Sequence, residues 1–292
     1  MKNKFFSHLL ACVSGLMLLS GVVSCEKMEI TDEGEANVVI RVDSYEQTPF
    51  PMRTRAEADI SITKLCFHIY NDAGERVVYV NQKMDDDHFG KAYFSLEKGH
   101  YYVLVVGHNA SSNPTFNKNE KVTISGKDLG DTFWSMKEFV VEDEDIEECL
   151  ALDRIVSRIN IIPTEEAPEE MNQIIFKYKG SKGTFDGLTG YGSTNTSQTV
   201  PLDVNADDKM FGFYMIPSEE KESLDLEVKT YYVSESGNIK TLSEKMILGL
   251  PVQRNRITIC RGVLFDNKSG DQSMEFTVVI NNTWGDDIEF EF

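Results

Sequence analysis

The sequence predicts an all-β protein of two tandem sandwich domains that follow an amino-terminal export segment. Three observations carry this. From residue 38 onward apolar residues alternate with polar ones, the period-two pattern of strands that bury one face. Asn, Asp and Gly interrupt the alternation where tight connections need positive φ, as in Asn71-Asp72-Ala73-Gly74 and Glu97-Lys98-Gly99. Helix signals are few, a short turn near Ala167 to Met171 being the one candidate, which disfavours a parallel α/β enzyme fold.

The amino end has its own chemistry. Lys2 and Lys4 form a basic head, and Phe5 to Val23 an apolar body too short and too Gly/Ser-broken to span a bilayer comfortably. Val22-Val23-Ser24-Cys25 looks like the lipobox of bacterial lipoproteins, in which cleavage precedes the cysteine and acyl chains are attached to it. Residues 1–24 are therefore expected to be a lipoprotein signal peptide, with Cys25 lipidated and 25–34 a linker. An ordinary signal peptide and an uncleaved anchor are the alternatives. Each buried methylene adds about 0.8 kcal/mol, so two or more chains hold a protein to a membrane without a spanning helix.

The strands follow in order. "NVVIRV" (37–42), "KLCFHIY" (64–70), "RVVYVNQ" (76–82), "KAYFSL" (91–96), "YYVLVVGH" (101–108), "KVTIS" (121–125) and "FWSMKEFVVE" (133–142) fit one sandwich, a domain spanning 35–148. "EDEDIEE" (142–148) reads as a solvated acidic loop, since the glycine and spacing of an EF-hand are missing. The boundary is expected between Glu142 and Ile155, and the second domain at 149–292. "ALDRIVSRINIIP" (151–163) restarts an apolar strand. "IIFKYKG" (174–180), "MFGFYMIP" (210–217), "LDLEVKTYYV" (224–233), "RITICRGVLF" (256–265), "MEFTVVI" (274–280) and "IEFEF" (288–292) continue it. The Gly-rich stretch 180–198 lacks the helix and third glycine of a dinucleotide site and reads as a long, exposed β connection.

Composition sets limits on function. With 41% hydrophobic and 26% charged residues the chain can build real cores. A net charge of −19 repels phosphates, so nucleic acid and anionic lipid surfaces are unsuitable partners. Cys12 leaves with the signal and Cys25 is acylated, leaving Cys66, Cys149 and Cys260, an odd trio with no zinc-like spacing; whether Cys66 and Cys260 pair stays open. None of the five histidines sits in an HExxH frame, and GxSxG is missing. His68 and Tyr70 share one strand face, which makes His68 a half-buried sheet residue rather than a base. No catalytic residue, metal ligand or cofactor is assigned, and the protein is expected not to be an enzyme.

Several blocks in fixed order resemble the FimB/Mfa family of fimbrial subunits, the lipid-tethered accessory and anchor proteins of one class of pili. They are "KLCFHIYNDAGERV" (64–77), "HFGKAYFSLEKGHYYVLVVGHNA" (88–110), "DTFWSMKEFVV" (131–141), "ALDRIVSRINI" (151–161), "IIFKYKGSKGTFDGLTGYG" (174–192) and "LPVQRNRITICRGVLF" (250–265). The resemblance implies two transthyretin-like sandwiches in tandem at the outer membrane surface. It also implies assembly with other fimbrial subunits by strand donation, in which an alternating strand fills an open groove.

Two segments suit such a part. Val38, Ile40 and Val42 share one face of 35–43, a candidate groove-filling strand; Met274, Phe276, Val278 and Ile280 share one face of 273–280, a candidate donor strand. The alternative for each is an ordinary internal strand. Arg53 and Arg55 in "PMRTRAEAD" are candidate processing sites, because Arg-directed cleavage frees the first strand in the polymerising relatives; an anchor would keep it. The alternative role is a surface lipoprotein binding glycan or host protein through loops carrying Tyr191, Trp134, Tyr101 and Tyr102.

Overall fold

Alternation in the sequence becomes burial in the structure. A computed structural model describes residues 34–45, 62–117, 120–125, 129–205, 207–265, 277–281 and 288–290, which hold strands and turns and, among the described residues, no helix. The first half contributes β1 (Val38–Tyr45), β2 (Lys64–Asn71), β3 (Arg76–Lys83), β4 (Lys91–Phe94), β5 (Gly99–His108), β6 (Thr115–Phe116), β7 (Lys121–Thr123), β8 (Thr132–Val141) and β9 (Ile146–Arg154). The second contributes β10 (Ser157–Pro163), β11 (Gln173–Gly180), β12 (Thr184–Asp186), β13 (Thr196–Asp203), β14 (Phe211–Met215), β15 (Lys221–Val233), β16 (Ile239–Gln253), β17 (Ile257–Gly262), β18 (Thr277–Asn281) and β19 (Ile288–Phe290).

In the first half one ribbon folds over on itself. Its order is β3-β2-β5-β8-β9-β1-β4, and β8 joins β9 through only two residue pairs, Phe133↔Arg154 and Trp134↔Asp153. The ladder β3-β2-β5-β8 and the trio β9-β1-β4 therefore act as two layers, with Val38, Ile40, Leu65, Phe67, Phe94, Val105 and Leu152 buried between them. The second half repeats the plan. β10 lies between an antiparallel β14 and a parallel β17, as β1 lies between an antiparallel β4 and a parallel β9. The ladder β13-β11-β15-β16 matches β3-β2-β5-β8, and the hairpin β18-β19 is additional, paired to β17. Ile159, Ile161, Phe176, Phe213, Leu226, Val228 and Leu250 form the second core. The all-β, two-sandwich expectation is met.

The expected division at 148/149 is corrected. It falls inside β9, whose Cys149, Leu150, Ala151 and Leu152 pair with β1, so the change of sandwich lies at Ile155–Val156. The physical reason is that Leu150 and Leu152 belong to the first core, which overrides the acidic text before them. The acidic run is likewise only partly a loop, because Ile146, Glu147 and Glu148 open β9. The apolar stretch 151–163 is two strands rather than one.

Period two fails in β2 and β5. Cys66 to Tyr70 and Val103 to His108 are buried on both faces. A third cluster explains it: Tyr70, Leu104 and Val106 on the outer face pack with Val122 and Ile124, with Ile155 and Val156 of the connection, and with Phe185 and Ile216 of the second half. β6, β7 and β12 form a small sheet over this cluster, with Phe185 opposite Val122. The Gly-rich stretch is therefore not simply an exposed connection. Its Phe185 is fully buried and it cements the two sandwiches.

Candidate functional site

The strand expected to fill a groove, β1, lies between β4 and β9 of its own chain. Val38 and Ile40 are fully buried and Val42 packs against the same core. The Asn37 side chain fixes the start of β1, donating to Leu96 O at 2.8 Å and accepting from Leu96 N at 2.9 Å. Register then runs Val38↔Phe94 and Ile40↔Ala92 on one side and Val38↔Ile146 and Ile40↔Glu148 on the other. The opposite face is charged: Arg41 lies 2.6 Å from Asp43 and 3.4 Å from Glu147, and donates to Cys149 Sγ at 3.2 Å. β1 thus satisfies backbone partners on both sides and inserts an apolar row, the two requirements of a strand that completes a sandwich.

The remaining expected residues separate. Cys25, Arg53, Arg55, Met274 and Phe276 lie outside the described residues. Val278 and Ile280 lie in β18, opposite Cys260 and Thr258 of the same chain. Tyr101 stacks on Phe139 with ring centroids 5.8 Å apart. Tyr102 stacks on Tyr70 at 5.0 Å and donates to Glu120 at 2.9 Å. Neither tyrosine joins Trp134 and Tyr191.

Those two are gathered by a residue the sequence did not flag. The Arg254 guanidinium lies 5.5 Å from the Trp134 ring centre and 5.0 Å from that of Tyr191. Trp134 belongs to β8, Tyr191 to the Gly-rich stretch and Arg254 to the turn before β17, so this stack bridges the halves at about 0.5–2 kcal/mol per cation–ring contact. Trp134 Nε1 donates to Gly187 O at 2.6 Å, and Gly187 N donates to Glu120 O at 2.7 Å. A Cβ on Gly187 would sit 2.6 Å from that Glu120 oxygen, so only glycine allows the approach.

Beneath it lies a buried ion pair, also unforeseen. Arg154 is 1% exposed; its Nε is 2.9 Å from Asp131 Oδ1, its guanidinium is 4.8 Å from the Phe133 ring centre, and its Nη1 donates to Asn255 Oδ1 at 3.3 Å. Burial raises the Asp131 carboxyl above its ordinary pKa, although Arg154 opposes this. Arginines 254 and 256 flank Asn255 in "QRNRITIC", a cluster of cations beside an apolar strand that could have marked the junction in the sequence.

The buried cysteines and histidines are packed inside the fold. Cys66 and Cys260 are free, buried in different halves, and burial pushes both thiols up to about 12. His68 is fully rather than half buried, stacked between Tyr79 and Phe116. Burial, then Arg76, holds it well below the ordinary imidazole range. His108 accepts from Ala110 N at 3.2 Å on Nδ1, and burial, then Lys64, lowers it to about 4.

Comparison with known proteins finds the same fold elsewhere. The fimbrial anchor protein Mfa2 from Porphyromonas gingivalis superposes with a TM-score of 0.50 at 11% identity, covering 84% of this chain and 96% of that one. A candidate adhesin from Bacteroides ovatus gives 0.53 at 10%, covering 90% and 98%. A candidate polysaccharide-binding protein from Bacteroides thetaiotaomicron gives 0.51 at 10%, covering 87% and 98%. The shared fold is the one implied by the resemblance to fimbrial subunits. No protein with a curated description matches the sequence. Residues 112–291 match the profile of DUF6562, a family of unknown function, and the chain belongs to that family.

Proposed function

We propose that the chain is a non-enzymatic accessory or anchor subunit of a surface fimbrium, held at the outer membrane through acylated Cys25 and retaining β1 in its own groove. The single observation that carries this reading is the place of β1, between β4 and β9 with Val38 and Ile40 fully buried. A subunit that keeps this strand keeps its covalent path to Cys25. One that is cut at Arg53 or Arg55 loses it. Neighbouring subunits would supply or accept a strand, and 273–280 is the candidate for donation. The fold likeness to Mfa2 supports the reading.

Mass spectrometry of the native protein tests it. The expected species carries acyl chains on Cys25 in one covalent chain with the second sandwich, and it travels with purified fimbriae. Mature chains beginning at Thr54 or Ala56 would move the protein to the shaft or tip class. A second reading, a surface protein that binds glycan through its loops and joins no filament, is supported by the fold likeness to the candidate polysaccharide-binding protein. In that case the protein does not co-purify with fimbriae.

A further inference from the structure

One end of the second sandwich carries a cleft of about 550 Å3, within the size of small-molecule sites. Two loops enclose it, one running from the end of β11 through the Gly-rich stretch and the other leading from β14 into β15. Its walls present Lys179, Ser193, Asn195, Ser218, Glu219 and Glu222. Glu222 is held in place by Ser218, whose backbone N donates to Oε2 at 3.0 Å and whose hydroxyl donates to the same oxygen.

Two polar atoms lack partners, Ser193 Oγ in the cleft wall and Tyr178 Oη in the second core behind it. Ser193 Oγ is buried with no hydrogen-bond partner among the described residues, and so is Tyr178 Oη. Tyr178 is 4% exposed, and its ring lies 3.5 Å from where a Cβ on Gly180 would stand, Gly180 being part of the cleft wall. Glu222, another wall residue, is near enough to raise the Tyr178 hydroxyl further after burial has done so. Buried hydroxyls without protein partners are uncommon and costly, about 1–3 kcal/mol each, so the Ser193 hydroxyl in the wall is a group that a polar ligand can satisfy.

We propose that this cleft binds a neutral sugar residue of a glycan. The lining offers hydroxyl, amide and carboxylate groups in the mixture that a ring of sugar hydroxyls, each donor and acceptor, can satisfy. Glu219 and Glu222 outweigh the single lining cation, Lys179, and so disfavour sialic acids, uronates and sulfated sugars. Tyr191 stands beside the wall residue Gly192 and donates to Glu220 at 3.2 Å, which keeps an aromatic ring near the rim. Among the described residues no group of three His, Cys, Asp or Glu side chains could hold a metal ion, so the carboxylates are read as hydroxyl acceptors. This deepens the glycan-binding reading, and it is compatible with membership of a filament.

The test uses the full chain on an array of oligosaccharides ending in neutral hexoses or N-acetylhexosamines, beside sialylated and sulfated ones. Neutral glycans are expected to bind and acidic ones not. Ser193→Ala and Glu222→Gln should each weaken binding about five- to tenfold, while Ser193→Ala holds the melting temperature. The proposal is overturned if no neutral glycan binds, if acidic glycans bind best, or if both variants bind like the parent. A Ser193→Ala variant that loses binding together with stability overturns it as well. Co-purification with fimbriae is a separate readout, so failure here leaves the fimbrial reading to its own test.

Discussion

Replacing Ile40 by alanine tests whether β1 is an integral part of the first sandwich. Ile40 is fully buried, lies opposite Ala92 and Glu148 in the register, and shares its core with Val38, Phe94 and Leu152. Truncating such a side chain removes its transfer energy and leaves a cavity, a cost of about 2–5 kcal/mol, so about 3 kcal/mol is expected. At about 2–4 °C per kcal/mol for domains of this size, the transition of the first sandwich should fall by about 6–12 °C in scanning calorimetry. Arg41→Ala is the control, because the Arg41 side chain is 46% exposed and its pairs with Asp43 and Glu147 contribute at most about 1 kcal/mol. If Ile40→Ala melts like the parent, or if Arg41→Ala costs as much, β1 is a peripheral strand and its retention cannot matter as argued.

Two further outcomes follow from the junction and the core. Arg154→Met should destabilise by about 3–5 kcal/mol because it strands the buried Asp131 carboxylate, whereas adding Asp131→Leu should restore most of the loss; a double-mutant cycle by urea denaturation checks this. Acid should weaken the fold through His108. Its folded pKa of about 4 is below the ordinary value of 6.5, so its stabilising share is present above pH 6.5 and is lost as pH falls toward 4. That shift corresponds to about 3 kcal/mol and comes first from burial and then from the Lys64 charge. A His108→Gln variant should have a flatter urea midpoint over this range, and an unchanged slope would refute the assignment.

Strands that alternate plainly were legible. "NVVIRV", "RVVYVNQ" and "LDLEVKTYYV" all fall in strands, because one face of each meets a core and the other meets water. β13 and β16 escaped notice for the complementary reason. Each is the outer strand of its ladder, so β13 buries only Val200 fully, and β16 leaves Met246 and Leu248 exposed around a bulge at Gly249. Its φ of +64° and the bond from Gly249 N to Asp225 at 2.9 Å belong to that irregularity, which breaks the period a reader would count. Of the aromatic candidates, Trp134 and Tyr191 come together and Tyr101 and Tyr102 do not, a distinction that depends on which loop crosses the outer face of β5.

The sequence by itself determined the strand class, the turns and the apolar row of β1, because periodicity and turn chemistry act over a few residues. Tertiary structure alone decided that β1 lies between β4 and β9, that Arg254 and Arg154 bridge the sandwiches, and that Phe185 seals them. Those contacts join residues separated by about a hundred positions, such as Arg154 and Asn255, and their energy comes from excluding water between surfaces that no local pattern brings together.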